Sequence, residues 1–177
     1  MGGLLSFFWS GESPDIDIPD EGSGLTPREK QNIRKTWAIV QKNVKENGVE
    51  LFIRFFDAHP DYIKLFKPLA NIPRDQLRSS KRLEAHALSV MYAITSLVDS
   101  LDDVECLKEL LLKTAHNHAH RGVQGEQFDH LTIIILKFLR DGLGSSFTPP
   151  VGEAWEKAFN VMNEIIKQGL KEHAVEK

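Results

Sequence analysis

Helical periodicity of apolar residues runs through most of the chain and limits the folds available to it. From Leu25 onward, large apolar residues recur every three or four positions, as in the run from Val49 to Phe56. No segment shows sustained alternation of apolar and polar residues between turn signals, so strands are not expected. A chain of 177 residues is long enough for one complete hydrophobic core and short for two. The sequence therefore predicts one all-α domain.

Local signals indicate where several helices begin and end. Thr26 is a predicted N-cap, Pro27 suits the first helical position, and Glu29 completes a capping box. Pro60 ends the second predicted helix, and the segment 67–80 is predicted to be mostly connecting chain. Four later helices are predicted. The first runs from near residue 79 to 100, the second includes residues 107–118 and ends before Gly122, the third covers 126–141, and the fourth begins at 149.

Composition excludes several classes of protein. The chain is 41% hydrophobic and 27% charged, which is typical of a soluble globular protein. Its net charge is −3, so no excess of basic residues suggests nucleic acid as a partner. No apolar run is long enough to cross a bilayer, and the N-terminus lacks the basic start of a secretory signal. The single cysteine, Cys106, excludes an intramolecular disulfide and fits an intracellular, cytoplasmic protein.

The first 24 residues differ from the rest and are predicted to form a flexible extension, followed by a domain over 25–172 and a tail over 173–177. Residues 1–6 match the M-G-x-x-x-[ST] pattern for acylation of Gly2, and three aromatic residues follow at 7–9. One acyl chain binds membrane only marginally, so the aromatic residues would supply the second signal at the inner face of the plasma membrane. The alternative is an apolar tail that docks on its own domain.

Two histidines on apolar helix faces are the main functional signal. His86 and His118 are 32 residues apart, and each shares a stripe with core-type residues of its helix. Either histidine alone is more often a hydrogen-bonded core residue than a ligand. Together they suggest a group held between them, because neutral imidazole is the commonest metal ligand and a flat iron macrocycle accepts one on each side.

The other histidines are expected to be solvated. His116, His118 and His120 alternate along one helix, which spreads their rings over about 400° of rotation. All three therefore cannot converge on one ion, and a zinc site in this run is not expected. His116, His120, His130 and His173 are all predicted to face solvent.

Several motifs occur in an order and spacing that resemble a known family. They are Lys35-Thr36-Trp37, the run 51–56 with His59-Pro60-Asp61, Leu65-Phe66, Glu84-Ala85-His86 with Val90-Met91, His118 with Gly122-Val123, and the run 143–149 with Ala154-Trp155. Over about residues 25–172 the chain resembles the globin family, and within it the neuroglobin and globin X branch. Ser89 departs from that pattern, where neuroglobins often have a lysine that contacts a haem propionate.

The resemblance implies a globin fold of about eight helices around haem b (iron protoporphyrin IX). It makes His118 the proximal iron ligand and His86 the distal residue, and it explains Gly48 and Ala87 as a close crossing of two helices. The remaining pocket residues that it implies are Phe52, Phe66, Val90, Leu111, Val123, Leu131, Ile135 and Phe159.

The implied function is reversible binding of O2, NO or CO by a haem with two histidine ligands, in a redox, sensing or protective role. The alternatives are slow haem catalysis on nitric oxide or nitrite, supported by an unknown reductase, and membrane-associated electron transfer. A helical interaction module without haem is a third reading, since fold alone does not determine function.

Overall fold

The computed structural model describes residues 15–175, and within them every regular element is helical. The seven α-helices are α1 (Pro27–Val40), α2 (Val44–Ala58), α3 (Arg74–Leu77), α4 (Lys81–Asp99), α5 (Val104–Ala119), α6 (Gly125–Leu143) and α7 (Pro149–Val175). Short 3-10 turns occupy Gln41–Asn43, Pro60–Leu65 and Gly144–Ser146. The all-α prediction is confirmed. The described residues form seven α-helices where about eight were predicted, and the count changes if the 3-10 turns are included.

The predicted capping signals are present where the helices begin. The hydroxyl of Thr26 accepts a hydrogen bond from the Glu29 amide at 3.1 Å, and the Glu29 carboxylate accepts from the Thr26 amide at 2.7 Å. At the starts of α4 and α5, the side chains of Ser80 and Asp103 accept hydrogen bonds from the amides of Leu83 and Cys106. These bonds satisfy amide donors that the first turn of a helix leaves unpaired.

Two indole rings join three helices at the centre of the core. Trp37 of α1 meets Trp155 of α7 edge to face, with ring centroids 5.9 Å apart. The Trp155 N–H donates to the Thr36 hydroxyl, and the Trp37 N–H donates to the Thr95 hydroxyl of α4, each at 3.0 Å. Both buried donors are therefore satisfied, which removes the usual cost of burying an indole N–H.

A glycine allows α2 and α4 to cross at close range. A Cβ atom on Gly48 would lie 2.9 Å from Met91 Cγ and 3.2 Å from Ala87 Cβ. Small side chains at this crossing bring α2 against the helix that carries His86.

We expect Gly48→Val to destabilise the protein by about 1–3 kcal/mol, because the added side chain overpacks the α2–α4 crossing. Gly142→Ala is the matched control, since a Cβ at this helical glycine meets nothing within 4 Å. The control should leave stability unchanged or raise it by up to about 1 kcal/mol. Chemical unfolding measures both, and equal effects of the two substitutions would contradict the close crossing.

The segment 15–24, which composition assigned to a solvated extension, contacts the helical body. Lys30 of α1 is only 6% exposed and pairs with Asp20 and with Asp102, the latter at 3.2 Å. Ser23 is buried, and a Cβ on Gly22 would lie 2.7 Å from Val104. Composition did not reveal this packing, because the ion pairs join Lys30 of α1 to Asp20 and to Asp102, which lie in two different segments of the chain.

The ends of the chain bear on two further predictions. Gly2 and the aromatic residues at 7–9 lie outside the described residues. At the other end, α7 continues to Val175, beyond the domain boundary predicted at 172. None of the helices in the described part of the chain combines the length and apolarity needed to span a bilayer.

Candidate functional site

An apolar cleft lies between α2, α4, the end of α5 and α6. The space between its walls is about 440 Å³, which includes solvent at its open mouth. Its walls are Phe52, Phe55, Tyr62, Leu65, Phe66, His86, Val90, His118, Val123, Gln127, Phe128 and Leu131.

Most of the residues that the sequence suggested for a pocket line this one cleft. His86 and His118 both belong to it, although they come from different helices. The other predicted residues on its walls are Phe52, Phe66, Val90, Val123 and Leu131.

Three predicted pocket residues lie in the core and not on the cleft wall. Leu111, Ile135 and Phe159 are 0%, 4% and 6% exposed. A helical stripe identifies the inward side of a helix but not the depth along its axis. Leu111, for example, is two turns, or about 10 Å, from His118 along α5.

Five wall residues were not among the predicted site residues. They are Phe55, Tyr62, Leu65, Gln127 and Phe128. Phe128 shares the apolar face of α6 with Leu131, Ile135 and Phe138, and its helical spacing from them could have identified it. Tyr62 and Leu65 belong to the 3-10 turn Pro60–Leu65, where no helical stripe exists to mark them.

A backbone hydrogen bond fixes the state of the His118 imidazole. Its Nδ1 atom lies 2.8 Å from the carbonyl oxygen of Thr114, one turn earlier in α5. A carbonyl can only accept, so Nδ1 must carry the proton and donate. In the neutral ring, Nε2 is then left with a free lone pair, the arrangement that metal-bound histidines generally have. The edge of the same ring meets Phe128 at 5.1 Å between centroids.

His86 enters the cleft from α4 between two phenylalanine rings. Its imidazole contacts Phe52 and Phe66 edge to face, with centroids 4.9 and 5.1 Å apart. No described residue supplies a hydrogen-bond partner for this ring. The ring is half-buried and its nitrogens are open to the cleft, since none of the buried side-chain nitrogen or oxygen atoms in the described residues lacks a hydrogen-bond partner. They can therefore contact a molecule that enters the cleft.

Burial keeps both imidazoles neutral. It lowers the pKa of His86 to about 4, and the nearby His118 and Arg121 add to the effect. Burial also lowers the pKa of His118, against the opposing influence of the Thr114 carbonyl. Near neutral pH both rings therefore keep a lone pair that can bind a metal.

Acid should destabilise the chain in the absence of any cofactor. The His86 pKa is about 6.5 in the unfolded chain and about 4 in the folded one, so the unfolded state binds more protons as pH falls through this window. Stability is therefore lost between pH 6.5 and 4, by about 3 kcal/mol from this residue. Urea unfolding across this pH range measures the loss. His86→Leu should reduce it, and an unchanged pH dependence in that variant would refute the assignment.

A second group of rings, formed by His59, Tyr62 and His130, lies beside the cleft. The Tyr62 hydroxyl and His130 Nδ1 are 2.7 Å apart, and His59 stacks on His130 with centroids at 4.3 Å. These contacts connect α6 to the 3-10 turn Pro60–Leu65, which comes directly before Phe66. His130 is thus half-buried and partnered, whereas the sequence predicted a solvated side chain.

Comparisons with known proteins agree with this architecture. A family model described as Globin matches residues 49–166. A neuroglobin of Dissostichus mawsoni is 30% identical over 155 residues, covering 86% of this chain and 97% of the relative. A globin of Nerita albicilla is 28% identical over 152 residues, with 86% and 95% coverage. The crystal structure of a hexacoordinated heme protein from an anhydrobiotic tardigrade superposes with a TM-score of 0.80 at 25% identity, covering 86% of this chain and 99% of that one.

Proposed function

The chain belongs to the globin family, and from this premise we propose that it binds haem between His118 and His86. The observation that carries the proposal is that two neutral imidazoles from different helices line one apolar cleft. His118 is the proximal ligand, because its Nδ1–H donates to Thr114 and leaves Nε2 for the iron. His86 is the distal ligand. The similar tardigrade structure, which is described as a hexacoordinated heme protein, supports a haem with a ligand on each side.

The residues of the cleft fit a flat apolar group held without covalent bonds. Phe52, Phe66 and Val90 contribute apolar surface on the His86 side, and Val123 and Leu131 extend the wall on α6 and the loop before it. The chain has only Cys106 and so lacks the C-x-x-C-H motif by which c-type haem is attached. We propose haem b as the cofactor because the resemblance to globins implies it. Leu111, Ile135 and Phe159 belong to the buried core of the domain.

When bound, the haem supplies a site for O2, NO or CO and a centre for one-electron transfer. His86 controls access to that site, because an external ligand has to wait until this imidazole moves away. The apparent affinity is lowered by the fraction of molecules in which His86 is released. The contacts of His86 with Phe52 and Phe66 hold its imidazole inside the cleft, where it would restrict access to the haem. This control suits a redox, sensing or protective role better than bulk storage of oxygen.

The optical spectrum of the reduced protein after reconstitution with hemin tests this function. Two histidine ligands predict a low-spin ferrous spectrum that CO converts slowly to a ligand-bound one. A high-spin ferrous spectrum would show that His86 does not bind iron. Turnover of nitric oxide or nitrite with a chemical reductant would favour the enzymatic role, for which a reductase would be the natural partner.

Gly2 is the proposed acylation site that brings the protein to the inner face of the plasma membrane. Support comes from the sequence pattern over residues 1–6, with the aromatic residues 7–9 as the second membrane signal. Expression in a eukaryotic host followed by intact mass measurement should show one added myristoyl group. Gly2→Ala is the control and should remain unmodified. An unmodified wild-type protein would remove this part of the proposal.

A further inference from the structure

Three histidines come together near the C-terminal ends of α5 and α7, and none of them lines the cleft. The ring centroids of His116 and His120 are 4.9 Å apart, those of His116 and His173 are 4.5 Å apart, and those of His120 and His173 are 6.2 Å apart. His116 Nδ1 lies 3.0 Å from His173 Nε2. We call His116, His120 and His173 the terminal histidine cluster.

His116 and His120 are exposed, as predicted, but each also contacts another imidazole, and His173 is half-buried. His116 and His120 are one helical turn plus about 40° apart, so they share one face of α5. His118 points to a different side, about 200° away, and lines the cleft. The third member comes from α7, 53 residues after His120 in the sequence. The periodicity of α5 alone could not reveal it.

We propose that the terminal histidine cluster binds a divalent transition-metal ion of the Zn²⁺ class. Two nitrogens bound tetrahedrally to one zinc at about 2.0–2.1 Å are about 3.3 Å apart. The 3.0 Å spacing of His116 Nδ1 and His173 Nε2 is close to this value. An i, i+4 histidine pair on one helix is a known way to present two imidazoles to one metal.

Metal binding requires a small local rearrangement. Among residues 15–175, no group of three histidine, cysteine, aspartate or glutamate side chains could hold a metal ion in its present positions. His116 and His173 share one N–H···N hydrogen bond, so the donating ring must move its proton to its other nitrogen. The ion then takes the place of the shared proton, and His120 completes the site by rotation of its exposed side chain. The all-imidazole ligand set favours Zn²⁺, Cu²⁺ or Ni²⁺ over Ca²⁺ or Mg²⁺.

The site would link the two helices next to the proposed haem ligand. α5 and α7 pack against each other, and Gly169 allows a close approach because a Cβ there would lie 2.8 Å from Ala115. A metal ion at the terminal histidine cluster would cross-link α5 to α7 through His116 and His120, which lie two positions before and after His118. Because the ion would bind the folded chain and not the unfolded one, it would stabilise this end of α5 by mass action.

Zn²⁺ binding to the untagged, full-length protein reconstituted with hemin tests the proposal. Equilibrium dialysis should show one site, and His116→Ala and His173→Ala should each weaken binding about tenfold or more. His120→Ala should also weaken it. His130→Ala, which removes a half-buried histidine elsewhere, is the matched control and should have no effect. X-ray absorption at the zinc edge should report imidazole nitrogens as the main ligands.

Two results would overturn the proposal. One is the absence of stoichiometric Zn²⁺ binding by the wild-type protein. The other is binding that His130→Ala abolishes and the cluster variants leave intact, since this would place the ion beside the cleft. The test does not depend on haem: the same substitutions should remove the site from protein prepared without hemin.

Discussion

Replacing His118 by alanine is expected to accelerate haem loss by about a hundredfold or more. The wild-type imidazole combines a free Nε2 lone pair with an Nδ1–H that donates to the Thr114 carbonyl at 2.8 Å. Loss of even an indirect partner of a metal ligand typically costs 10–100-fold in affinity, so loss of the ligand itself should cost at least as much. Transfer of haem to an excess of an apoglobin acceptor, followed by absorbance, measures the rate.

The neighbouring His116→Ala is the matched control for this experiment. His116 lies on α5 two residues earlier but is exposed and does not line the cleft. It should retain haem like the wild type in metal-free buffer. Exogenous imidazole should partly restore haem retention in His118→Ala, because the missing group is a small diffusible ligand. Equal retention by wild type and His118→Ala would refute the proximal role.

Replacing His86 by leucine is expected to preserve haem binding and to speed ligand binding. Leucine keeps an apolar side chain against Phe52 and Phe66, which hold the wild-type ring in place. If the released state of His86 is populated to about 0.1–10%, removing the competition raises apparent affinity by about 10–1,000-fold. CO rebinding after flash photolysis would lose its slow, His86-limited phase.

The two variants together separate the roles of the two histidines. We expect a large loss of haem in His118→Ala and a small one in His86→Leu. Equal haem loss in both would contradict the assignment of proximal and distal ligands. An unchanged CO binding rate in His86→Leu would show that this residue does not restrict access to iron.

Much of the fold could be predicted from local patterns. The capping residues Thr26 and Glu29 act within four positions of sequence, and the break at Pro60 follows from its missing N–H. Apolar periodicity identified the inward faces of α4 and α5, and therefore the two histidines. These features depend on neighbours one turn away, which a single sequence displays directly.

Other parts of the site depend on information that residue types do not carry. The acceptor for His118 is a backbone carbonyl, at Thr114, and every residue has one. Ile135 and Phe159 have the residue types of a pocket wall but lie in the core, because depth depends on how helices cross. His130 and His173 acquired partners from elements 68 and 57 residues away. Only tertiary packing brings such pairs together.

Ferric electron paramagnetic resonance of the wild-type protein after reconstitution with one equivalent of hemin tests the central claim most directly. The signal reports the axial ligands of the iron without any substitution in the chain. Ligation by His118 and His86 predicts a low-spin spectrum with the g-anisotropy of two imidazole ligands. A high-spin spectrum, or hemin that remains free in solution, would contradict a haem held between these two histidines.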